Sequence, residues 1–189
     1  MQKTFYILAG ANGTGKSTVA RTLLKEENLC FLNADDIAAK ITPSNIESAK
    51  ISAGKKVFEK LNELFIKKVS FAMESTLSGA THLKIIQRAK DLNYKIIIIY
   101  SFVDNPQICI NRIKIRVLSG GHNIPEEDVI RRFSRSKNNF WHKYKQLANE
   151  WMLFYNGGKV YHLVAKAKDG DTVVLNEILL KEFLKDIKK

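Results

Sequence analysis

Gly10-Ala11-Asn12-Gly13-Thr14-Gly15-Lys16-Ser17, with Thr18 behind it, places three glycines ahead of a lysine and two hydroxyls. Such a grouping suits the gripping of phosphates. Glycines allow the tight, often positive-φ backbone that aims successive N–H groups at an anion. A helix opening at the lysine adds its partial positive charge. The spacing is G-x-x-x-x-G-K-[ST], the Walker A pattern, in which the lysine reaches the β- and γ-phosphates and the hydroxyl ligates Mg²⁺. Gly10 to Thr18 are therefore the expected ATP-binding segment, with Lys16 its catalytic cation and Ser17 a metal ligand. The competing reading is a plain glycine-rich turn with a lysine after it. It leaves unexplained why an apolar run precedes the loop and an amphipathic one follows.

Binding a nucleotide does not say what becomes of its γ-phosphate. Leu118-Ser119-Gly120-Gly121-His122 imitates the sequence that marks ABC ATPases, but a charged helical stretch over 125–135 follows it, not an apolar strand ending in Asp-Glu. The Asn-Lys-x-Asp guanine reader of GTPases is absent. A phosphoryl transferase is the remaining class. It needs a carboxylate to hold Mg²⁺ or take a hydroxyl proton, and cations to offset the moving charge.

Asn33-Ala34-Asp35-Asp36-Ile37 supplies the carboxylates, at the end of a short apolar run. Asp35 is the expected general base and a second metal ligand, and Asp36 an expected substrate contact. The alternative is that Asn33 and both aspartates only cap a helix. Glu74-Ser75-Thr76 ends another apolar run, with Glu74 either a substrate contact, the favoured reading, or a buried pairing partner. Arg112, Arg116, Arg131, Arg132 and Arg135 flank the Gly120-Gly121-His122 segment, as a lid closing over phosphates would require. Arg116 and Arg132 are the preferred pair, and His122 is read as a positioning residue. The alternative is a solvated basic helix face, which must account for some of these arginines.

These residues need elements to hold them. Apolar runs at 4–9, 29–32, 71–74, 95–103, 151–155, 160–165 and 172–175 read as strands. Helical periodicity covers 16–27, about 46–68 behind a Ser44-Asn45-Ile46-Glu47 capping box, and 81–93. Pro106 and Pro125 each open a further helix, Asp169-Gly170 makes a turn, and Asn176 caps a C-terminal helix. Strands alternating with helices predict a three-layer α/β/α fold with a mostly parallel sheet, both carboxylate motifs at its carboxyl edge. With three prolines and no linker or repeat, 1–189 reads as one domain carrying a helical lid over about 106–148.

Composition narrows the partners. The net charge of +12, from 31 basic and 19 acidic residues, favours anionic ligands. No apolar run is long enough to span a membrane. The apolar stretch before Gly10 is too short for a secretory signal, so a cytoplasmic location is expected. Cys30 and Cys109 read as buried free thiols, and His82, His122, His142 and His162 lack zinc-ligand spacing.

Together, residues 10–18, Phe31-Leu32-Asn33-Ala34-Asp35-Asp36-Ile37, Glu74-Ser75-Thr76-Leu77-Ser78-Gly79, the run 116–125, Arg131-Arg132-Phe133 and the run 151–156 resemble the zeta-toxin-like kinases, in particular small bacterial members. The resemblance spans about residues 4–156. It implies a P-loop kinase that uses ATP and Mg²⁺ to phosphorylate the amino-sugar 3′-hydroxyl of UDP-N-acetylglucosamine. It further implies Asp35 as general base, Lys16 and Ser17 at ATP·Mg²⁺, Glu74 and Thr76 in the substrate pocket, and a small antitoxin partner that blocks the ATP site. Two other readings stay open. One is a nucleoside, nucleotide or RNA-end kinase, which the basic charge would help but for which no RNA-binding motif or aromatic platform is visible. The other is a regulatory module that binds ATP without transferring phosphate.

Overall fold

The computed structural model describes residues 2–19, 29–41 and 46–188, less the side chains of 39–40 and 46–51. Its sheet comprises β1 (Thr4–Ala9), β2 (Cys30–Leu32), β3 (Phe71–Ser75), β4 (Lys95–Phe102), β5 (Glu150–Tyr155), β6 (His162–Lys168) and β7 (Asp171–Val174), in the order β2-β3-β1-β4-β5-β6-β7. The first five strands in that order run parallel, and β6 and β7 are added antiparallel. The helices are α1 (Ala34–Ile41), α2 (Ile46–Lys67), α3 (Thr81–Asp91), α4 (Pro106–Leu118), α5 (Glu126–Asn139) and α6 (Glu177–Leu184), besides a helix that opens at Lys16.

Strand alternation divides the apolar residues between the two sheet faces. Phe5, Ile7, Ile96, Ile98 and Tyr100 pack on one face with Leu61 and Phe65 of α2, Ile86 of α3 and Phe183 of α6. Leu8, Ile97 and Ile99 point to the other, against Val19 of the helix after the loop. Helices on both faces of a mostly parallel sheet form the expected three layers. A third cluster, Ala11, Val103, Ile110, Ile113, Val129 and Phe133, fixes α4 and α5 beside the glycine loop. α5 then runs into a π-helical turn, Phe140–Tyr144, which the sequence did not signal. That turn keeps both Phe140 and Tyr144 buried.

Most expected elements are present with shifted ends. The strand expected at 160–165 starts at His162 and runs to Lys168, because its antiparallel register against β5 continues to the Glu150–Lys168 pair. Asn105 caps α4 ahead of Pro106, and Asn176 caps α6. At the β6–β7 turn Asp169 and Gly170 both adopt positive φ, as a two-residue hairpin requires. Residues 20–27 of the expected first helix, and Ser44 and Asn45 of the capping box, lie outside the described residues. Cys109 is buried, its thiol pushed up to about 11 by desolvation, whereas Cys30 is only half-buried, contrary to expectation. Among the described residues no helix is long and apolar enough to cross a membrane.

Candidate active site

The glycine loop leaves β1 at the carboxyl edge of the sheet, and its neighbours dictate its glycines. A Cβ at Gly10 would collide with the Ser101 carbonyl oxygen, and one at Gly15 with the Asn156 amide and the Tyr161 hydroxyl; φ is +138° and +89° at the two. The loop carbonyls are tied to the scaffold. Thr14 O accepts from Ser101 Oγ at 2.7 Å and from Asn156 Nδ2 at 2.9 Å, and Gly15 O accepts from the Tyr161 hydroxyl at 3.0 Å. Arg112 donates to Asn156 O at 2.8 Å and, more weakly, to Gly13 O at 3.5 Å. With its carbonyls so occupied, the loop is preorganised to turn N–H groups toward an anion. Gly10, Ala11 and Thr14 serve beneath the loop; Asn12, Gly13, Gly15, Lys16, Ser17 and Thr18 line a cavity of about 500 Å³.

Lys16 is buried, and its ammonium donates to Ala11 O at 3.0 Å and lies 3.5 Å from Glu74 Oε1. Ser17 Oγ donates to Glu74 Oε2 at 2.7 Å, and Asn33 Nδ2 to the same oxygen at 3.2 Å. The parallel register of β1 and β3 makes this possible, since Glu74 pairs with Leu8 just before the loop. Glu74 thus pairs with the loop lysine and serine while also lining the cavity under the glycine loop.

Asn33 resolves the capping question. Its Oδ1 accepts from Asp35 N at 2.9 Å, and its carbonyl accepts from Ile37 N at 3.1 Å, so the asparagine caps α1 and the Asp35 carboxylate is left for other work. Asp35 Oδ2 lies 3.2 Å from His122 Nε2. That hydrogen bond is the main reason the Asp35 carboxyl is held below the ordinary carboxylate value; burial opposes it, and the charges of His122, Lys16 and Arg116 reinforce it. Arg116 donates to the His122 carbonyl at 3.0 Å, and its buried Nε has no hydrogen-bond partner among the described residues.

A second cavity, of about 270 Å³, lies on the other side of these groups, between α2, β3 and α3. Asn12, Lys16, Asn33, Asp35 and Glu74 form a wall common to both. Asp36, Arg116 and His122 line only the first cavity, so Asp36 and His122 face the glycine-loop side and not the second cavity, where Thr76 sits. Arg132 also lines the second cavity, held by Asp128 at 3.0 Å and reaching Asn12 Oδ1 at 3.4 Å. The preferred arginine pair is therefore divided between the cavities. Of the other arginines, Arg112 braces the loop, Arg131 pairs with Asp128, and Arg135 borders a separate hollow with Lys143. Sequence reasoning passed over the bracing by Asn156 and Tyr161; no local pattern marks Tyr161, and Asn156 stood out only as the end of the run 151–156.

A Walker A loop after the first strand, a mostly parallel sheet with flanking helices, and carboxylates from the two neighbouring strand ends define a P-loop kinase fold. The model of the family described as zeta toxin matches residues 1–174. The chain belongs to the zeta toxin family. An uncharacterized protein of Haemophilus influenzae is 35% identical over 133 residues, covering 70% of this chain and 94% of that protein. Among solved structures, the AvrRxo1-ORF1:-ORF2 complex with ATP superposes with a TM-score of 0.82 at 16% identity, over 100% of this chain and 65% of the other. The PezAT chromosomal toxin–antitoxin system of Streptococcus pneumoniae gives 0.70 at 15% identity, over 100% and 81%. The chain therefore spans just under two thirds of the chain it matches in the AvrRxo1-ORF1:-ORF2 complex.

Proposed function

We propose that this protein is a cytoplasmic ATP-dependent kinase that transfers the γ-phosphate to a hydroxyl of a sugar nucleotide such as UDP-N-acetylglucosamine, with Asp35 as general base. One observation carries the reading: Asp35 belongs to the wall shared by the cavity under the glycine loop and the second cavity beside it. ATP in the first and a hydroxyl acceptor in the second would meet at that wall. Asp35 accepts the hydroxyl proton as the acceptor oxygen bonds to the γ-phosphorus, and the bond from that phosphorus to the β–γ bridging oxygen breaks to release ADP. Like an ordinary carboxylate, Asp35 is ionised near neutral pH, and its proton affinity is lowered further, chiefly by the His122 hydrogen bond.

Lys16 and Arg116 neutralise the moving charge from the loop side, and Arg132 from the acceptor side. Lys16 exchanges its present Ala11 and Glu74 contacts for phosphate oxygens, and the unpartnered Arg116 Nε gains a partner. The hard oxygens of Ser17, Glu74 and Asp35 fit Mg²⁺, which shields the phosphate charge when bound. Mg²⁺ in such sites takes only one or two protein carboxylates and is otherwise held by nucleotide phosphates and water.

A small antitoxin covering the ATP site is part of the proposal. Relatives of this fold occur in toxin–antitoxin complexes, and a net charge of +12 suits an acidic partner. The same charge favours, as a second reading, an RNA-end kinase. Labelled ATP·Mg²⁺ with UDP-N-acetylglucosamine, nucleosides and RNA 5′ ends separates the readings. Label on the sugar nucleotide is expected; label on RNA alone would select the second reading, and ATP binding without transfer would leave a regulatory module.

A further inference from the structure

His82, near the start of α3, lines the second cavity and has not been given a role. Its Nδ1 lies 3.3 Å from Ser75 Oγ. Ser75 Oγ already accepts from Leu77 N at 3.0 Å, and Ser75 is buried. A buried hydroxyl proton is costly to leave without an acceptor, and among the described residues the acceptor beside this one is His82 Nδ1. Ser75 therefore donates to Nδ1, and the ring proton sits on Nε2. That nitrogen has no hydrogen-bond partner among the described residues.

The surroundings keep the ring neutral. Val57, Met73 and Ile85 supply apolar walls, and desolvation pushes His82 down to about 4. Asp35, Glu74 and Arg132 border the same cavity, so charged recognition is already provided there. What His82 adds is a fixed, uncharged donor.

We propose that His82 is an acceptor-recognition residue, donating its Nε2–H to a neutral carbonyl or hydroxyl oxygen of the molecule that is phosphorylated. This rests on the kinase reading above, and it deepens that reading by stating what the acceptor must present: beside its reactive hydroxyl, a second neutral oxygen facing α3. A molecule lacking that oxygen leaves the donor unpaired and is discriminated against.

The test combines ring spectroscopy with kinetics on the full chain. Nitrogen-15 NMR of the His82 ring should show a neutral, Nε2-protonated imidazole at neutral pH; a cationic ring or a proton on Nδ1 overturns the assignment. With UDP-N-acetylglucosamine as acceptor, His82→Phe should raise KM about tenfold or more, while ATP affinity and the circular-dichroism spectrum stay unchanged. His82→Gln, which restores an N–H donor, should recover part of that loss. An active wild type whose acceptor KM is unmoved by His82→Phe overturns the His82 role alone. A wild type that phosphorylates neither UDP-N-acetylglucosamine, nucleosides nor RNA ends overturns the kinase reading and this role with it.

Discussion

His122 Nε2 lies 3.2 Å from Asp35 Oδ2, which ties the loop between α4 and α5 to the second residue of α1. A residue of the expected lid thereby sets the proton affinity of the expected base. A carboxyl whose folded pKa lies below its unfolded value of about 3.9 contributes stability that is full above that value and is lost as pH falls through the folded pKa. For activity, the same depression places the acidic limb of the rate profile below the ordinary carboxylate range. His122→Ala should move that limb of kcat/KM to higher pH, with little change on the plateau. Profiles measured from about pH 2.5 to about pH 8 would show it, and coincident acidic limbs would break the link.

Lys16→Ala should leave the fold in place and abolish turnover or weaken ATP binding, because a neutral side chain cannot offset the γ-phosphate charge. It also strips Glu74 of its cation, so a loss of about 1–3 kcal/mol in unfolding free energy is expected. Adding Glu74→Gln should recover part of that stability and none of the turnover. Denaturant unfolding and a kinase assay on the single and double variants separate the two effects. Wild-type turnover in well-folded Lys16→Ala would remove the lysine from the mechanism.

Asn156→Ala tests the bracing of the glycine loop. It removes the donor to Thr14 O and a partner of the Tyr161 hydroxyl, at a cost of about 1–3 kcal/mol. ATP affinity should fall although Asn156 need not touch the nucleotide. Calorimetric ATP titration and a thermal melt check this; a variant with lowered stability and unchanged ATP affinity would confine Asn156 to a structural part.

Much of this arrangement is legible in the sequence, and the reasons differ by residue. The Walker A spacing fixes the loop because a Cβ would collide with the Ser101 carbonyl at Gly10 and with the Asn156 and Tyr161 side chains at Gly15. Asp35 and Glu74 are legible as strand-end acids, since each follows a short apolar run. Which partner each acid takes is not local information. Ser17 and Glu74 are 57 residues apart and meet only through the β1–β3 register. Asn33 and Asp35 both suit a cap, and only the geometry shows the asparagine taking it. Likewise the arginines of α4 and α5 read alike in sequence, yet Arg112 braces the loop while Arg116 and Arg132 face different cavities.

If residues 116–135 close over bound ligands, a non-hydrolysable ATP analogue together with UDP-N-acetylglucosamine should slow amide exchange there more than either does alone. Gly120 and Gly121, between two helices, would be the hinge of that closure. Exchange unchanged by both ligands would return these arginines to a solvated surface.

The most direct measurement is the turnover of Asp35→Asn beside its ATP affinity, with Asp36→Asn as the companion. Asparagine preserves shape and can still face His122, but it cannot take a proton. Loss of a general base typically lowers the rate by ~10²–10⁴-fold. The account predicts a fall of that size for Asp35→Asn, near-normal ATP affinity, and a smaller effect for Asp36→Asn, which lines the glycine-loop cavity alone. Turnover of Asp35→Asn within a few-fold of wild type, in a protein that phosphorylates its acceptor, would contradict the account at its centre.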